Sequence, residues 1–369
     1  MKRYIENQVR EDLDKKMVFL GGPRQVGKTT VAKSMLKDQS GYLSWDIPRQ
    51  REIILKRELP DAPLLVFDEI HKYKRWRNYL KGVFDEYAEE KKILVTGSAR
   101  LDLYRYGGDS LQGRYYYLRL HPLSFVELQA ESKADLEQLF LLGGFPEPFL
   151  GGSLARAKRW SVEYRNRLIQ DDISSVEAIK DLGTLERLVL ALPDRVGSPL
   201  SKNSLREDLE VNHQTVSRWL DVLERMYAIF RISPFGAPKI RAVKKEQKHY
   251  HFDWSLVHDE GYRFENLIAS HLLKWIHFIF DTSGRELELR YFRDIDSREV
   301  DFVIVERKDP IMMVECKLSS GPAAPSLKYL AERFPDCAAY QVHLRGRKDA
   351  CVANGIKLWP AEKFLQLLP

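Results

Sequence analysis

Only three cysteines occur in the 369 residues, Cys316, Cys337 and Cys351, all in the last sixth of the chain. They lack the paired spacing of a zinc site, so a reducing cytoplasm is the expected setting. Long apolar runs are also missing. None approaches the ~20 residues needed to span a bilayer, and the opening MKRYIENQVREDLDKK is charged where a secretory leader would be apolar. The reading therefore expects neither a signal peptide nor membrane insertion. No internal repeat or low-complexity tract is visible. Charge is not strongly one-sided either: 59 Lys and Arg against 53 Asp and Glu leave a formal +6. That balance permits an acidic partner such as nucleic acid without requiring one.

What is present is enough apolar material, 44% hydrophobic and 11% aromatic, to bury more than one core, so two or three structural units are expected. From Met17 to Arg119 short apolar runs alternate with amphipathic stretches, the pattern of parallel strands joined by crossover helices. MVFLGG, LLVFDE and ILVTGS each read as a buried strand ending in a polar or glycine turn. After residue 120 helical periods take over, and LEQLFLLGGFPEPFLGG marks a junction that puts a border near residue 150. SLREDLEVNHQTVSRWLDVLERMYAIFRI reads as helix, turn, helix and strand, the outline of a winged helix-turn-helix. From about Pro238, helices around FENLIASHLLKWIHFIF and strands at LELRYFR, EVDFVIVE and PIMMVECKL indicate a separate α/β unit.

Gly22-Pro23-Arg24-Gln25-Val26-Gly27-Lys28-Thr29 fits the eight-position P-loop pattern, with Thr30 continuing into a helix-forming stretch. The two glycines let backbone N–H groups and the helix N-terminus face phosphates. Lys28 is expected to reach the β- and γ-phosphates of ATP, and Thr29 to offer its hydroxyl to Mg²⁺. LLVFDE then places Asp68 at a strand end to hold the metal and Glu69 to orient or activate water. The competing reading of Asp68 and Glu69 is an ordinary acidic pair closing a strand. Thr96 and Ser98 end the third strand, and Ser98 is read as a γ-phosphate sensor or else a turn former. Arg114 suits transition-state charge, in its own chain or a neighbour's, and could equally be a salt-bridge residue.

Taken in order, GGPRQVGKTT, LLVFDEIHKY, VTGSAR, QGRYYYLRLHPLSFVEL and GGFPEP resemble the prokaryotic AAA-type ATPases that carry a C-terminal domain of unknown function. The later LEVNHQTVSRWLDVLERMYAIFRI, KHYHFDWSL, ENLIASHLL and EVDFVI extend the resemblance over nearly the whole chain. It implies an AAA-type ATPase domain over 1–150, a helical segment with a winged helix over 151–237, and a restriction-endonuclease-like α/β domain over 238–369. The basic HKYKRW after the acidic pair departs from the expected segment.

EVDFVIVERKDPIMMVECK resembles the PD-(D/E)xK nuclease core, with Asp301 on one strand and Glu315-Cys316-Lys317 on the next. Residues two apart on a strand share a face, so Glu315 and Lys317 would project together. Asp301 and Glu315 could share a divalent metal, Lys317 could position water, and Glu265 resembles the extra acidic residue of such sites. A solvated carboxylate-lysine network on an inherited fold is the competing reading. On the helix from Thr215, Val216, Leu220, Leu223 and Met226 form an apolar face, while His213, Gln214, Ser217 and Arg218 could meet phosphates or base edges. The leading expectation is a cytoplasmic ATPase that couples nucleotide state to its later domains, with a homo-oligomer reasonable for its class. The rivals are a nucleotide-gated DNA nuclease and a nucleotide-switched scaffold that binds DNA or protein.

Overall fold

The computed structural model describes residues 1–97, 111–173, 181–236 and 246–369. They divide into two compact units, Met1–Pro122 with Arg225–Tyr227 and Asp281–Ser283, and the remainder.

The first unit is built on a five-stranded parallel sheet of β1 (Met17–Gly21), β2 (Tyr42–Ser44), β3 (Leu64–Asp68), β4 (Lys92–Thr96) and β5 (Tyr115–Arg119) in the order β2-β3-β4-β1-β5. Its crossovers are α2 (Lys28–Met35), α3 (Pro48–Lys56) and α4 (Trp76–Tyr87), and α1 (Glu6–Leu13) precedes β1. Strands covered on both faces read as unbroken apolar runs, and every residue of β1 is buried. One layer of core runs from Phe19 through Phe67 to Trp76, Leu80 and Val83 of α4. Its aromatic packing includes Phe19 stacked on Tyr115 at 4.4 Å. Because β1 lies between β4 and β5, the chain leaves its carboxyl end from an interior strand, and open α/β sheets bind ligands at the carboxyl ends of their strands.

The second unit begins with α5 (Lys133–Leu142), α6 (Pro146–Gly151), α7 (Leu154–Arg167), α8 (Leu182–Ala191), α9 (Lys202–Leu209) and α10 (His213–Arg225). Residues 123–150, which the sequence reading joins to the ATPase segment, group here instead. The reason is that α5 buries Leu136, Leu139 and Phe140, and the Trp254 indole donates to the Leu139 carbonyl at 3.0 Å. The border expected at 237 is also crossed by structure, because β6 (Ile229–Pro234) and β7 (Lys248–His251) belong to the sheet of the C-terminal strands.

That sheet is completed by β8 (Leu287–Arg293), β9 (Glu299–Glu306), β10 (Asp309–Ser319), β11 (Ala338–Arg345), β12 (Ala350–Cys351) and β13 (Lys357–Pro360). Its eight strands run β12-β13-β11-β10-β9-β8-β6-β7. The long helix α11 (Glu260–Ser283) precedes an antiparallel meander of β8, β9 and β10. Helix α12 (Pro325–Arg333) then returns the chain to lay β11 parallel to β10, and α13 (Ala361–Leu365) closes it. The apolar positions expected on the helix from Thr215 are all buried, while His213, Gln214 and Arg218 are exposed and Ser217 accepts from Lys202 Nζ at 3.2 Å.

Candidate functional site

Gly22 leaves β1 with φ +134°, and a Cβ there would stand 2.2 Å from the Leu120 carbonyl oxygen. Gly27 adopts φ +101° immediately before α2 begins at Lys28. Both glycines are therefore required by geometry, one by crowding and both by a left-handed backbone. Between them Gln25 is left-handed as well, at φ 60°. The Val26 carbonyl accepts from Arg3 Nη1 at 2.8 Å, tying the loop to the N-terminal segment. Pro23 is buried, Arg24 half-buried and Thr30 exposed. Lys28 is buried and turns back along the loop, its Nζ donating to the carbonyls of Gly22 at 2.9 Å and Pro23 at 2.5 Å.

Thr29, in the first turn of α2, donates its hydroxyl to Asp68 Oδ2 at 3.1 Å. Two further hydroxyls converge on that carboxylate: Tyr42 on Oδ2 at 2.6 Å and Thr96 on Oδ1 at 2.5 Å. The parallel register causes this gathering, since Asp68 pairs with Thr96 on one side and Ser44 on the other. A carboxylate and hydroxyl oxygens in one place are hard donors, the kind that Mg²⁺ takes. The residues present thus fit the metal through Thr29 and Asp68.

Glu69 follows with φ 57° and its amide bonded to the Thr96 carbonyl at 3.0 Å. Its Oε2 lies 3.4 Å from Lys72 Nζ and 3.6 Å from His71 Nε2, and Lys72 is held in turn by Asp46 at 2.6 Å. Burial raises the Glu69 carboxyl above its ordinary range, against the pull of Lys72 and Lys28. Tyr42, Asp46 and Lys72 were not singled out as site residues in the sequence. Lys72 stands in the basic HKYKRW run, which was the available signal.

Two further residues were expected at this site. Ser98 lies outside the described residues. Arg114 is at the opposite end of the sheet from the loop, since its carbonyl accepts from the Met17 amide at the start of β1. Its guanidinium pairs with Asp85 of α4, Nε to Oδ1 at 2.7 Å and Nη2 to Oδ2 at 3.3 Å.

In the second unit Glu265 of α11, Asp301 of β9, and Glu315 and Lys317 of β10 do come together. Lys317 Nζ donates to Glu315 Oε1 at 2.7 Å, and Asp301 Oδ2 accepts the Cys316 amide at 2.8 Å. Burial, then the Asp301 charge, raises both Glu265 and Glu315 above the usual carboxylate range. Lys248 was missed as a site residue: burial disfavours its charge, but Glu265, Asp301 and Glu299 outweigh burial and raise its pKa.

Known proteins match the chain in three stretches. A family model described as an AAA domain matches residues 14–129. Two more, described as domains of unknown function, DUF8612 and DUF4143, match 133–260 and 260–364. The chain is 26% identical over 247 residues to uncharacterized proteins of Mycobacterium bovis and Mycobacterium tuberculosis, covering 66% of itself and 55% of each. It therefore spans about half the length of those relatives. An uncharacterized protein of Haemophilus influenzae is 22% identical over 287 residues, 71% of this chain and 68% of that one. A solved RuvB chain of Thermotoga maritima is 17% identical, covering 62% of this chain and 88% of its own, at a TM-score of 0.28. So low a score carries no argument. The AAA-domain match and the glycine-lysine loop fall on the same N-terminal segment, which is thereby similar to AAA-type P-loop ATPases. Among the described residues no helix is long and apolar enough to cross a membrane.

Proposed function

We propose that this chain binds ATP with Mg²⁺ at the loop from Gly22 to Thr30, hydrolyses it, and passes the nucleotide state to its later segments. The observation that carries the reading is the meeting of Thr29, at the start of α2, with Asp68, at the end of β3, at 3.1 Å. The loop amides and Lys28 bind the phosphates, with Lys28 exchanging loop carbonyls for β- and γ-oxygens. Thr29 and Asp68 would hold Mg²⁺, which when bound would supply charge neutralisation for the phosphates. Water attacks the γ-phosphorus, the bond to the β-phosphate oxygen breaks, and ADP leaves with that electron pair. Glu69 orients the water, and its proton passes to the carboxylate or to the released phosphate. Ser98 is retained as a γ-phosphate sensor. Arg114 serves a neighbouring copy in this reading, which requires its release from Asp85.

Phosphate release by the purified chain tests this. The intact protein should turn over ATP, Glu69→Gln should retain binding with turnover reduced on the order of 10²-fold or more, and Lys28→Ala should lose both. Release by Lys28→Ala equal to that of the intact chain would remove the assignment. The nuclease reading has Glu265, Asp301, Glu315 and Lys317 assembled in its favour, but a buried lysine enters the same cluster and weighs against a metal there.

A further inference from the structure

The acidic cluster of the second unit contains a cation that none of the roles above employs. Lys248 opens β7 and is fully buried. Strand alternation sends Lys248 and Tyr250 to one face and His249 and His251 to the other. Both members of the first pair converge on one oxygen, Glu265 Oε1, with Lys248 Nζ at 3.3 Å and the Tyr250 hydroxyl at 2.6 Å. The same ammonium lies 2.5 Å from Glu299 Oε1 and 5.3 Å from the Tyr291 ring centroid. Glu299 and Asp301 are two apart on β9, just as Glu315 and Lys317 are on β10. Four carboxylates from three elements thus share one region with a lysine from a fourth.

A buried ammonium persists only where carboxylates neutralise it, and buried carboxylates need the cation in return. A divalent metal would compete for the same oxygens at about 2.0–2.6 Å. One oxygen of each proposed ligand is already committed: Glu265 Oε1 to Lys248 and Tyr250, Asp301 Oδ2 to the Cys316 amide, and Glu315 Oε1 to Lys317. Glu315 Oε2 is different, being buried without a hydrogen-bond partner on a residue only 6% exposed. It is an acceptor held ready in a place where a fixed positive charge repels an incoming dication.

We propose that Lys248 is the resident cation of this cluster, occupying the electrostatic place of a divalent metal, and that removing its charge opens a site for one Mg²⁺ or Mn²⁺ on Glu265, Asp301 and Glu315. The native chain then takes up no such ion at these carboxylates. The inference is independent of the nucleotide site.

Mn²⁺ titration of the full chain by electron paramagnetic resonance, without nucleotide, tests it. The native protein should show no Mn²⁺ that Glu315→Gln removes. Lys248→Met should gain one equivalent, bound at least about tenfold more tightly than any the native chain holds, and Lys248→Met with Glu315→Gln should lose it. A native chain holding one equivalent that Glu315→Gln abolishes would overturn the proposal, as would a folded Lys248→Met with no gain. Should circular dichroism show Lys248→Met unfolded, the polar Lys248→Gln replaces it, and the native titration still decides against the proposal by itself.

Discussion

His271 shows how much one buried side chain can be made to do. Its Nδ1 lies 2.8 Å from the Leu267 carbonyl, and its Nε2 faces the Phe125 amide at 3.2 Å. Those partners fit only the neutral ring, with Nδ1 donating and Nε2 accepting. Burial first depresses its pKa from 6.5 to about 4, and the same cause takes His249 to about 4 and His251 to about 3. Each group is charged in the unfolded chain and neutral in the fold between pH 6.5 and its depressed value. The unfolded state binds more protons there, so stability is lost as pH falls through that window. For His271 the loss is on the order of 3 kcal/mol when complete. Thermal midpoints of the native chain and His271→Gln, compared between pH 7 and 4, should converge as acid is added. At this scale the gathering of Thr29 and Asp68 beside the glycine loop was legible because Gly22, Lys28, Thr29, Asp68 and Glu69 form short local codes. Tyr42, Lys248 and His271 were not, because their partners are supplied by register and packing with segments distant in the chain.

Helix α10 was legible as an element because its apolar positions repeat at helical spacing around Val216, Leu220 and Leu223, all buried. Leu220→Ala should cost ~3 kcal/mol, whereas the exposed Gln214→Ala should change stability by less than about 0.5 kcal/mol, both read from urea midpoints. Equal effects would mean that the helix presents another face. The strands β1, β3, β4, β8, β9 and β10 were likewise visible as apolar or alternating runs. What the sequence concealed was grouping: α5 precedes the glycines of the junction yet seals its apolar side within the second unit, and β6 and β7 add to a sheet whose other members come much later. Periodicity reports that a face must be buried and is silent on what buries it.

For the molecule as a whole, a ligand that binds only the folded protein adds stability by mass action. ATP with Mg²⁺ at 100 times its dissociation constant should add about 2.7 kcal/mol to the unit that carries the loop. Calorimetry should show that unit's transition rising with nucleotide in the native chain and unmoved in Lys28→Ala. A rise of the same size in Lys28→Ala would place the nucleotide elsewhere.

The order of strands around β1 also bears on how the chain comes to be made. Met17–Gly21 leaves the ribosome before both its neighbours, Lys92–Thr96 and Tyr115–Arg119, which are translated long afterwards. Until then a wholly apolar ribbon has two unpaired edges, while β2 and β3 can already pair with each other. Translation slowed between residues 21 and 92 should therefore lengthen the exposure of MVFLG to chaperones and to other nascent chains.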